Sequence, residues 1–157
     1  MSDPVLRDAA PTEPGARALL AASHALMQQM FPAESNHYLS VEALAAPDVR
    51  FFLVERDGAA LGCAALALRE GYGEVKSMFV APEARGSGTG RFLMLALEDA
   101  ARAAGLPLMR LETGDTLDAA HRLYARHGFV TRGPFGDYSE DPRSVFMEKD
   151  VAALAGS

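Results

Sequence analysis

Apolar residues in the first third of the chain recur at three- and four-residue spacing, which is typical of a helix with one buried face. This spacing predicts a helix that begins at Thr12, as N-cap, and ends near Pro32. Residues 5–8 predict a short strand before it. Ser40 predicts the N-cap of a short second helix that ends before Pro47. The N-terminal third is therefore expected to hold one strand and two helices.

The middle of the chain consists of short runs rich in β-branched and aromatic residues, which predict strands at 49–55, 60–69 and 74–80. Asp57 and Gly58 separate the first two runs, and this dipeptide is typical of a two-residue hairpin turn. A glycine-rich turn separates the second run from the third. We therefore expect three consecutive strands joined by turns.

The C-terminal half alternates between helical and extended spacing. It predicts a helix at 88–104, a strand at 108–113, a helix capped by Asp115 or Thr116 that ends at His127, and strands at 129–133 and 144–149. The order of the elements combines hairpins with two βαβ-like crossovers. We therefore expect an α/β chain whose mixed sheet has helices on both faces.

The composition is that of an ordinary globular domain. The chain has 157 residues, of which 49% are apolar and 23% are charged, and it shows no linker or internal repeat. We expect one domain over residues 1–157, with a loose tail at 152–157. Lys and Arg number 15 and Asp and Glu number 21, and the net charge of −6 argues against a surface made for nucleic acid.

The number of cysteines and the pattern of the first residues argue against several further classes of protein. Cys63 is the only cysteine in the sequence, which excludes an internal disulfide and a zinc ribbon, and no ligand spacing for a metal is present. The first residues do not have the pattern of a signal peptide, and the longest weakly polar run, 59–68, is about half the ~20 residues of a membrane span. We therefore expect a cytoplasmic protein with no bound metal and no membrane contact.

A glycine-rich turn, RGSGTGR at 85–91, joins the strand at 74–80 to the following helix. Its backbone N–H groups and the partial positive charge of the helix N-terminus favour a phosphate or pyrophosphate. The turn does not match a P-loop. Arg91 stands where the dinucleotide fingerprint needs its third glycine, although Glu112 is roughly placed as the acidic residue of that fingerprint. A surface loop without a ligand remains the alternative.

Two segments resemble motifs of one enzyme family. MFVAPEARGSGTG at 78–90 is similar to the strand-and-loop signature of the GNAT superfamily of acetyl-CoA-dependent N-acetyltransferases, and AHRLYARHGF at 120–129 is similar to its second motif. Their order and separation fit as well. The resemblance is to small single-domain bacterial members. It implies an α/β (α+β) GNAT fold, with a mixed, mostly antiparallel, twisted sheet of about six or seven strands flanked by about four helices.

The resemblance implies roles for individual residues. Tyr124 would protonate the departing CoA thiolate, and Glu74, eleven residues before Arg85, would be the general base. Backbone groups around Met78 and Val80 would bind pantetheine and the thioester carbonyl, where this strand splays from its parallel neighbour. The implied cofactor-binding residues are Met78, Phe79, Val80, Arg85, Gly86, Ser87, Gly88, Thr89, Gly90 and Arg91.

Alternatives to these roles stay open. Glu74 is equally consistent with an ion pair to Lys76 or with contact to solvent, and Tyr124 with a buried ring packed under the sheet. Leu117 stands where the family often has an asparagine that helps to hold the pantetheine arm. Asp115 and Thr116 are the candidate substitutes.

The leading hypothesis for function is an N-acetyltransferase that moves an acetyl group from acetyl-CoA to a primary amine by direct attack on the thioester. The alternative is a non-catalytic CoA- or acyl-CoA-binding regulatory domain of the same fold. The sequence leaves open whether the acceptor is a small molecule or a protein, and whether the chain is a homodimer. The loops at 31–40 and 134–143 are expected to form the acceptor pocket, and four acidic residues there predict a cationic amine: Glu34, Asp137, Glu140 and Asp141.

Overall fold

The computed structural model describes residues 3–151, which contain seven strands, four α-helices and one main hydrophobic core. The strands are β1 (Val5–Asp8), β2 (Val49–Arg56), β3 (Ala59–Leu68), β4 (Tyr72–Val80), β5 (Leu108–Gly114), β6 (Val130–Arg132) and β7 (Ser144–Asp150). The helices are α1 (Pro14–Met30), α2 (Val41–Leu44), α3 (Thr89–Ala103) and α4 (Asp118–Arg126). The tail predicted at 152–157 lies outside the described residues.

The strands form one sheet in the order β1-β2-β3-β4-β5-β7-β6. Among the described residues, every neighbouring pair is antiparallel except β4 and β5, which run parallel. The β2–β3 hairpin turns at Asp57 and Gly58 with φ angles of 51° and 80°, as the predicted two-residue turn requires. The mixed, mostly antiparallel sheet with four helices confirms the predicted fold class.

The core lies where helices α1 and α3 pack on the central strands of the sheet. Leu20 of α1, Leu53 and Leu66 of the hairpin, and Leu93 and Leu97 of α3 are all at most 1% exposed. Burying one such side chain contributes about 1.5–3 kcal/mol to stability. This packing fixes the N-terminus of α3 beside the end of β4.

The predicted cap of the last helix is wrong. α4 begins at Asp118, and its N-cap, Leu117, makes no side-chain capping bond, whereas the sequence favoured Asp115 or Thr116. The backbone N–H of Asp115 donates to the carbonyl of Arg143 at 2.9 Å. This bond extends the β5–β7 pairing by one residue, so the chain turns into the helix only after it.

The cap of the first long helix is also one residue later than predicted. Its N-cap is Glu13 rather than Thr12, and no side-chain capping bond forms. The Glu13 carboxylate pairs with Arg7 of β1 at 2.6 Å and accepts a hydrogen bond from the Ala10 N–H at 3.1 Å. A contact with β1 thus takes the place of a helix cap.

Candidate active site

β4 and β5 part from each other soon after they meet. Their parallel pairing ends at Glu74 and Arg110, although β4 continues to Val80. The pairing of β4 with β3 shifts register in the same region, and Ser77 has a φ of 54°, so β4 carries a bulge there. The splayed strands implied by the family resemblance are therefore present.

A cavity of about 120 Å³ fills the gap between these strands. Ser77 and Met78 of β4, Glu112 of β5 and Tyr124 of α4 are among its lining residues. The hydroxyl oxygen of Ser77 is buried and has no hydrogen-bond partner within residues 3–151. An unsatisfied buried polar group costs about 1–3 kcal/mol. Ser77 thus lines the cavity, while its hydroxyl oxygen is enclosed by protein atoms.

Tyr124 reaches the cavity from the last turn of α4 and is 5% exposed. Gly128, with a φ of 89°, follows the helix, and the backbone N–H of Phe129 donates to the Tyr124 carbonyl at 3.0 Å, which fixes this turn. Burial, and then the negative charge of Glu112, raise the pKa of Tyr124. The phenol is therefore protonated at neutral pH and is a hydrogen-bond donor in the cavity wall.

Glu112 is a second titratable group in the same wall. It lies on β5 between the buried Leu111 and Thr113, and its Oε2 accepts a hydrogen bond from the Ser144 hydroxyl at 2.7 Å. Burial raises the pKa of Glu112 in spite of this bond. No sequence motif assigned Glu112 a catalytic role. The available signal was an acidic residue between two residues of a buried strand.

Glu74, the predicted general base, lines a second cavity rather than the first. It is 4% exposed, and its carboxylate accepts a hydrogen bond from the Tyr138 hydroxyl at 2.5 Å and pairs with Lys76 at 3.3 Å and Arg69 at 3.4 Å. Lys76 also donates to the His37 carbonyl and to Tyr138, both at 2.8 Å. The ion pair considered as an alternative role for Glu74 is thus present, and it is buried.

The second cavity, of about 530 Å³, shares part of its wall with the first. It is lined by residues 37–39, by the turn between β3 and β4, and by residues 136–139. The hydroxyl of Ser35 donates to Asp141 at 2.6 Å, which joins the two predicted acceptor loops. Of the four acidic residues in these loops, Asp137 is among the residues that line the second cavity.

Residues from two other parts of the chain contact Gly114 at the end of β5. Phe31 packs over Gly114, where a Cβ would overlap the Phe31 ring. The His121 imidazole of α4 lies 2.8 Å from the Gly114 carbonyl, in hydrogen-bond contact. Leu117, at the position where the family often has asparagine, lines the first cavity with an apolar side chain. α4, and with it Tyr124, is therefore held against the end of β5.

The glycine-rich loop has the features that a pyrophosphate requires. Gly86 and Gly88 have φ angles of 79° and 88°, and a Cβ at either would have no atom within 4 Å. The first bond of α3 runs from the Phe92 N–H to the Gly88 carbonyl at 3.0 Å. The N–H groups of Thr89, Gly90 and Arg91 therefore have no acceptor in the helix. The residues present fit the phosphate end of CoA.

The other predicted cofactor residues have different surroundings. Arg85 and Arg91 are exposed beside the loop, whereas Phe79 and Val80 are partly buried and pack on the core. The Ser87 hydroxyl donates to the carbonyl of Ala84 and contacts the Thr89 hydroxyl at 2.8 Å. Thr89 itself is 1% exposed. The hydroxyls of this loop thus hold its shape, and its backbone and arginines are left for an anion.

No group of three or more His, Cys, Asp or Glu side chains within residues 3–151 has an arrangement that could hold a metal ion. No helix in that range is long and apolar enough to cross a membrane.

Comparisons with known proteins identify the family. The profile of the acetyltransferase (GNAT) family matches residues 19–129. An IAA acetyltransferase of Azospirillum brasilense is 52% identical over 124 residues, which are 78% of this chain and 81% of that protein. The uncharacterized N-acetyltransferase YedL of Escherichia coli is 37% identical over 87% of both chains.

A solved structure agrees with the sequence relatives. The acyl-CoA N-acyltransferase of Klebsiella pneumoniae superposes with a TM-score of 0.80 and 37% identity, over 94% of this chain and 97% of that one. The family predicted from two short motifs is thereby confirmed over most of the chain. This protein belongs to the GNAT family of N-acetyltransferases.

Proposed function

We propose that this N-acetyltransferase uses acetyl-CoA as donor and a primary amine as acceptor, with one domain over residues 1–157 sufficient for the reaction. The observation that carries the proposal is the meeting of Tyr124 and Glu112 in one cavity, where β4 and β5 part. The glycine-rich loop supports the donor, since it offers an anion three backbone N–H groups at a helix N-terminus. Acetyl-CoA, when bound, supplies an acetyl thioester.

Glu112 is the general base of this proposal. An amine like that of lysine has a pKa near ~10.4 and enters the site protonated, so a base must accept a proton before or during attack. The raised pKa of Glu112 makes this carboxylate a better proton acceptor than an exposed glutamate. Glu74, already engaged by three side chains, positions Lys76 and Tyr138 instead.

Tyr124 is the acid. The amine nitrogen forms a bond to the carbonyl carbon and the C–S bond breaks, so negative charge develops on sulfur. The Tyr124 hydroxyl keeps its proton at neutral pH because of its raised pKa and can donate it to that sulfur. N–H groups around the β4 bulge near Ser77 and Met78 are the candidate donors to the carbonyl oxygen.

The relatives suggest which acceptors to try first. The Azospirillum brasilense relative is named an IAA acetyltransferase, so IAA belongs in the panel beside amino acids, polyamines and peptides. Cytoplasmic location and a homodimer stay predictions.

The experiment measures CoA release from acetyl-CoA in the presence of this panel, with mass spectrometry of the product. Turnover that yields an acetylated amine supports the proposal. Tight binding of CoA without release from any amine would favour the alternative of a non-catalytic CoA-binding regulatory domain. Absence of CoA binding would contradict both.

A further inference from the structure

We propose that the acceptor carries a carboxylate at some distance from its amine, and that Arg69 binds this carboxylate in the second cavity. The inference rests on the proposed function, because it assumes that the reacting amine lies at Glu112. The charged side chains of the second cavity carry it: Arg69, Glu74, Lys76 and Asp137.

Two of these charged side chains, Lys76 and Glu74, already have hydrogen-bonding partners within the protein. Lys76 directs its ammonium group to the His37 carbonyl, to Tyr138 and to Glu74, and the Glu74 carboxylate also accepts from Tyr138. Lys76 is 8% exposed and Glu74 is 4% exposed. Taking either one for a ligand would break a buried, hydrogen-bonded ion pair, which is strongly unfavourable. They form a fixed wall of the cavity.

Because Lys76 is bound to its three partners, Arg69 is the cation of the second cavity that is available to a ligand. Its side chain is 35% exposed, and within residues 3–151 its one side-chain hydrogen bond runs from Nε to Glu74 at 3.4 Å. Two cations, Arg69 and Lys76, face the single carboxylate of Glu74, so these three carry a net charge of +1, which the Asp137 carboxylate elsewhere in the cavity wall balances. The terminal nitrogens of a guanidinium form a planar fork that matches a carboxylate. Arg69 therefore offers the acceptor a bidentate anion site.

The strand register gives an approximate separation between amine and carboxylate. Glu74 lies opposite Arg110 in the β4–β5 ladder, and Glu112 is two residues further along β5. Two strand residues span roughly 7 Å. A carboxylate bound beside Glu74 is therefore several bonds away from an amine at Glu112. This separation fits an ω-amino acid, or the side-chain amine of a diamino acid, rather than an α-amine.

The test uses two amines that differ in one group. δ-Aminovalerate and n-pentylamine have the same primary amine and a chain of the same length, and the first ends in a carboxylate where the second ends in a methyl group. We expect the wild-type protein to favour δ-aminovalerate in kcat/KM by about tenfold or more, as a bidentate ion pair implies. Glycine, whose charges are adjacent, is expected to be a poor acceptor.

Three variants test whether the preference for δ-aminovalerate depends on Arg69. Arg69→Gln is expected to lose the preference for δ-aminovalerate over n-pentylamine through a higher KM for δ-aminovalerate. Arg69→Lys keeps the charge beside Glu74 without the fork and is expected to retain part of the preference. Arg17→Gln, at an exposed arginine of α1, is the matched control and is expected to behave like wild type. Thermal melts check that each variant is folded.

The outcomes separate this inference from the proposed function. Equal kcat/KM for the two amines, or an unchanged preference in folded Arg69→Gln, overturns the role of Arg69 alone. A preference for cadaverine over δ-aminovalerate that disappears in Asp137→Asn would also overturn it, in favour of the cationic amine predicted from the acidic loops. Failure of every primary amine to release CoA overturns the proposed function together with this inference.

Discussion

Two strand pairs of the same sheet are built in opposite ways. β2 and β3 pair along almost their whole length, with one register shift after Val54, and side chains such as Val54 and Leu66 are completely buried. β4 and β5 pair over three residues and then part around a cavity. The hairpin buries apolar side chains, whereas the opening holds the half-buried Glu112, the buried Tyr124 and the unpartnered Ser77 hydroxyl. Stability is concentrated in the first region and candidate chemistry in the second.

The positions of positive φ angles also differ between these two regions. The hairpin places its positive φ angles at Asp57 and Gly58, in a turn where such residues are common. The opening places a φ of 54° at Ser77, inside a strand. A non-glycine residue held in this region costs of order 1–3 kcal/mol, and such residues cluster at functional sites. The bulge that exposes β4 to a ligand is therefore maintained by the packing around it.

The largest effect is expected for Glu112→Gln. The amide cannot accept the amine proton, so kcat/KM should fall about a hundredfold or more, and the acidic limb of the pH–rate profile should disappear. Glu55→Gln, at an ion-paired glutamate of β2, is the control on the hairpin side and should leave the rate unchanged. Wild-type turnover by Glu112→Gln, together with loss of the acidic limb in Glu74→Gln, would return the role of base to Glu74.

Tyr124→Phe is expected to lower kcat by about 10–100-fold with a smaller change in the affinity for acetyl-CoA, because the hydroxyl matters most as charge develops on sulfur. The ring and its contact with Phe129 are retained, so thermal melts should show little change. Steady-state kinetics under conditions where chemistry limits the rate is the measurement. A folded variant with wild-type kcat would leave Tyr124 a packing role only.

Gly88→Val tests the glycine-rich loop. We expect weaker binding of CoA by at least about tenfold, because valine opposes the φ of 88° and adds bulk where the backbone meets an anion. Gly58→Val is the matched control, since Gly58 has a φ of 80° and equally open surroundings in the hairpin turn. Calorimetric titration of both variants with CoA separates loss of the site from general strain. Equal affinity in the two would remove the loop from the site.

The smallest effect is a pH dependence of stability. Burial raises the pKa of Glu112, so the native state binds the proton more tightly than the unfolded chain does. The contribution of Glu112 to stability is therefore fully present below the unfolded pKa of ~4.3 and is lost as pH rises through the raised native pKa. Glu112→Gln should lack this loss. Parallel slopes of melting temperature against pH for wild type and variant would contradict the burial of an ionisable group at the opening.

The elements and the family could be predicted from local features of the sequence. The Asp57-Gly58 turn, the glycine-rich loop and the periodic apolar spacing are local features, and each acts within a few residues through φ preferences or a buried helix face. For the same reason the Tyr124 segment and the loop before α3 could be recognised as motifs without knowledge of the packing. The cap of α4 could not, because its start depends on a hydrogen bond between Asp115 and the distant Arg143.

The surroundings of the two carboxylates, Glu112 and Glu74, depend on tertiary contacts that local sequence features do not show. Glu112 accepts from Ser144, which is 32 residues away, and Glu74 accepts from Tyr138, which is 64 residues away. In a strand, alternation fixes which side chains share a face, but not what covers that face. The covering loops, joined by the Ser35–Asp141 bond across 106 residues, engage Glu74 with Tyr138 and leave Glu112 in the cavity with Tyr124. The chemical role of a buried charge follows from its neighbours, and in this fold those neighbours come from distant parts of the chain.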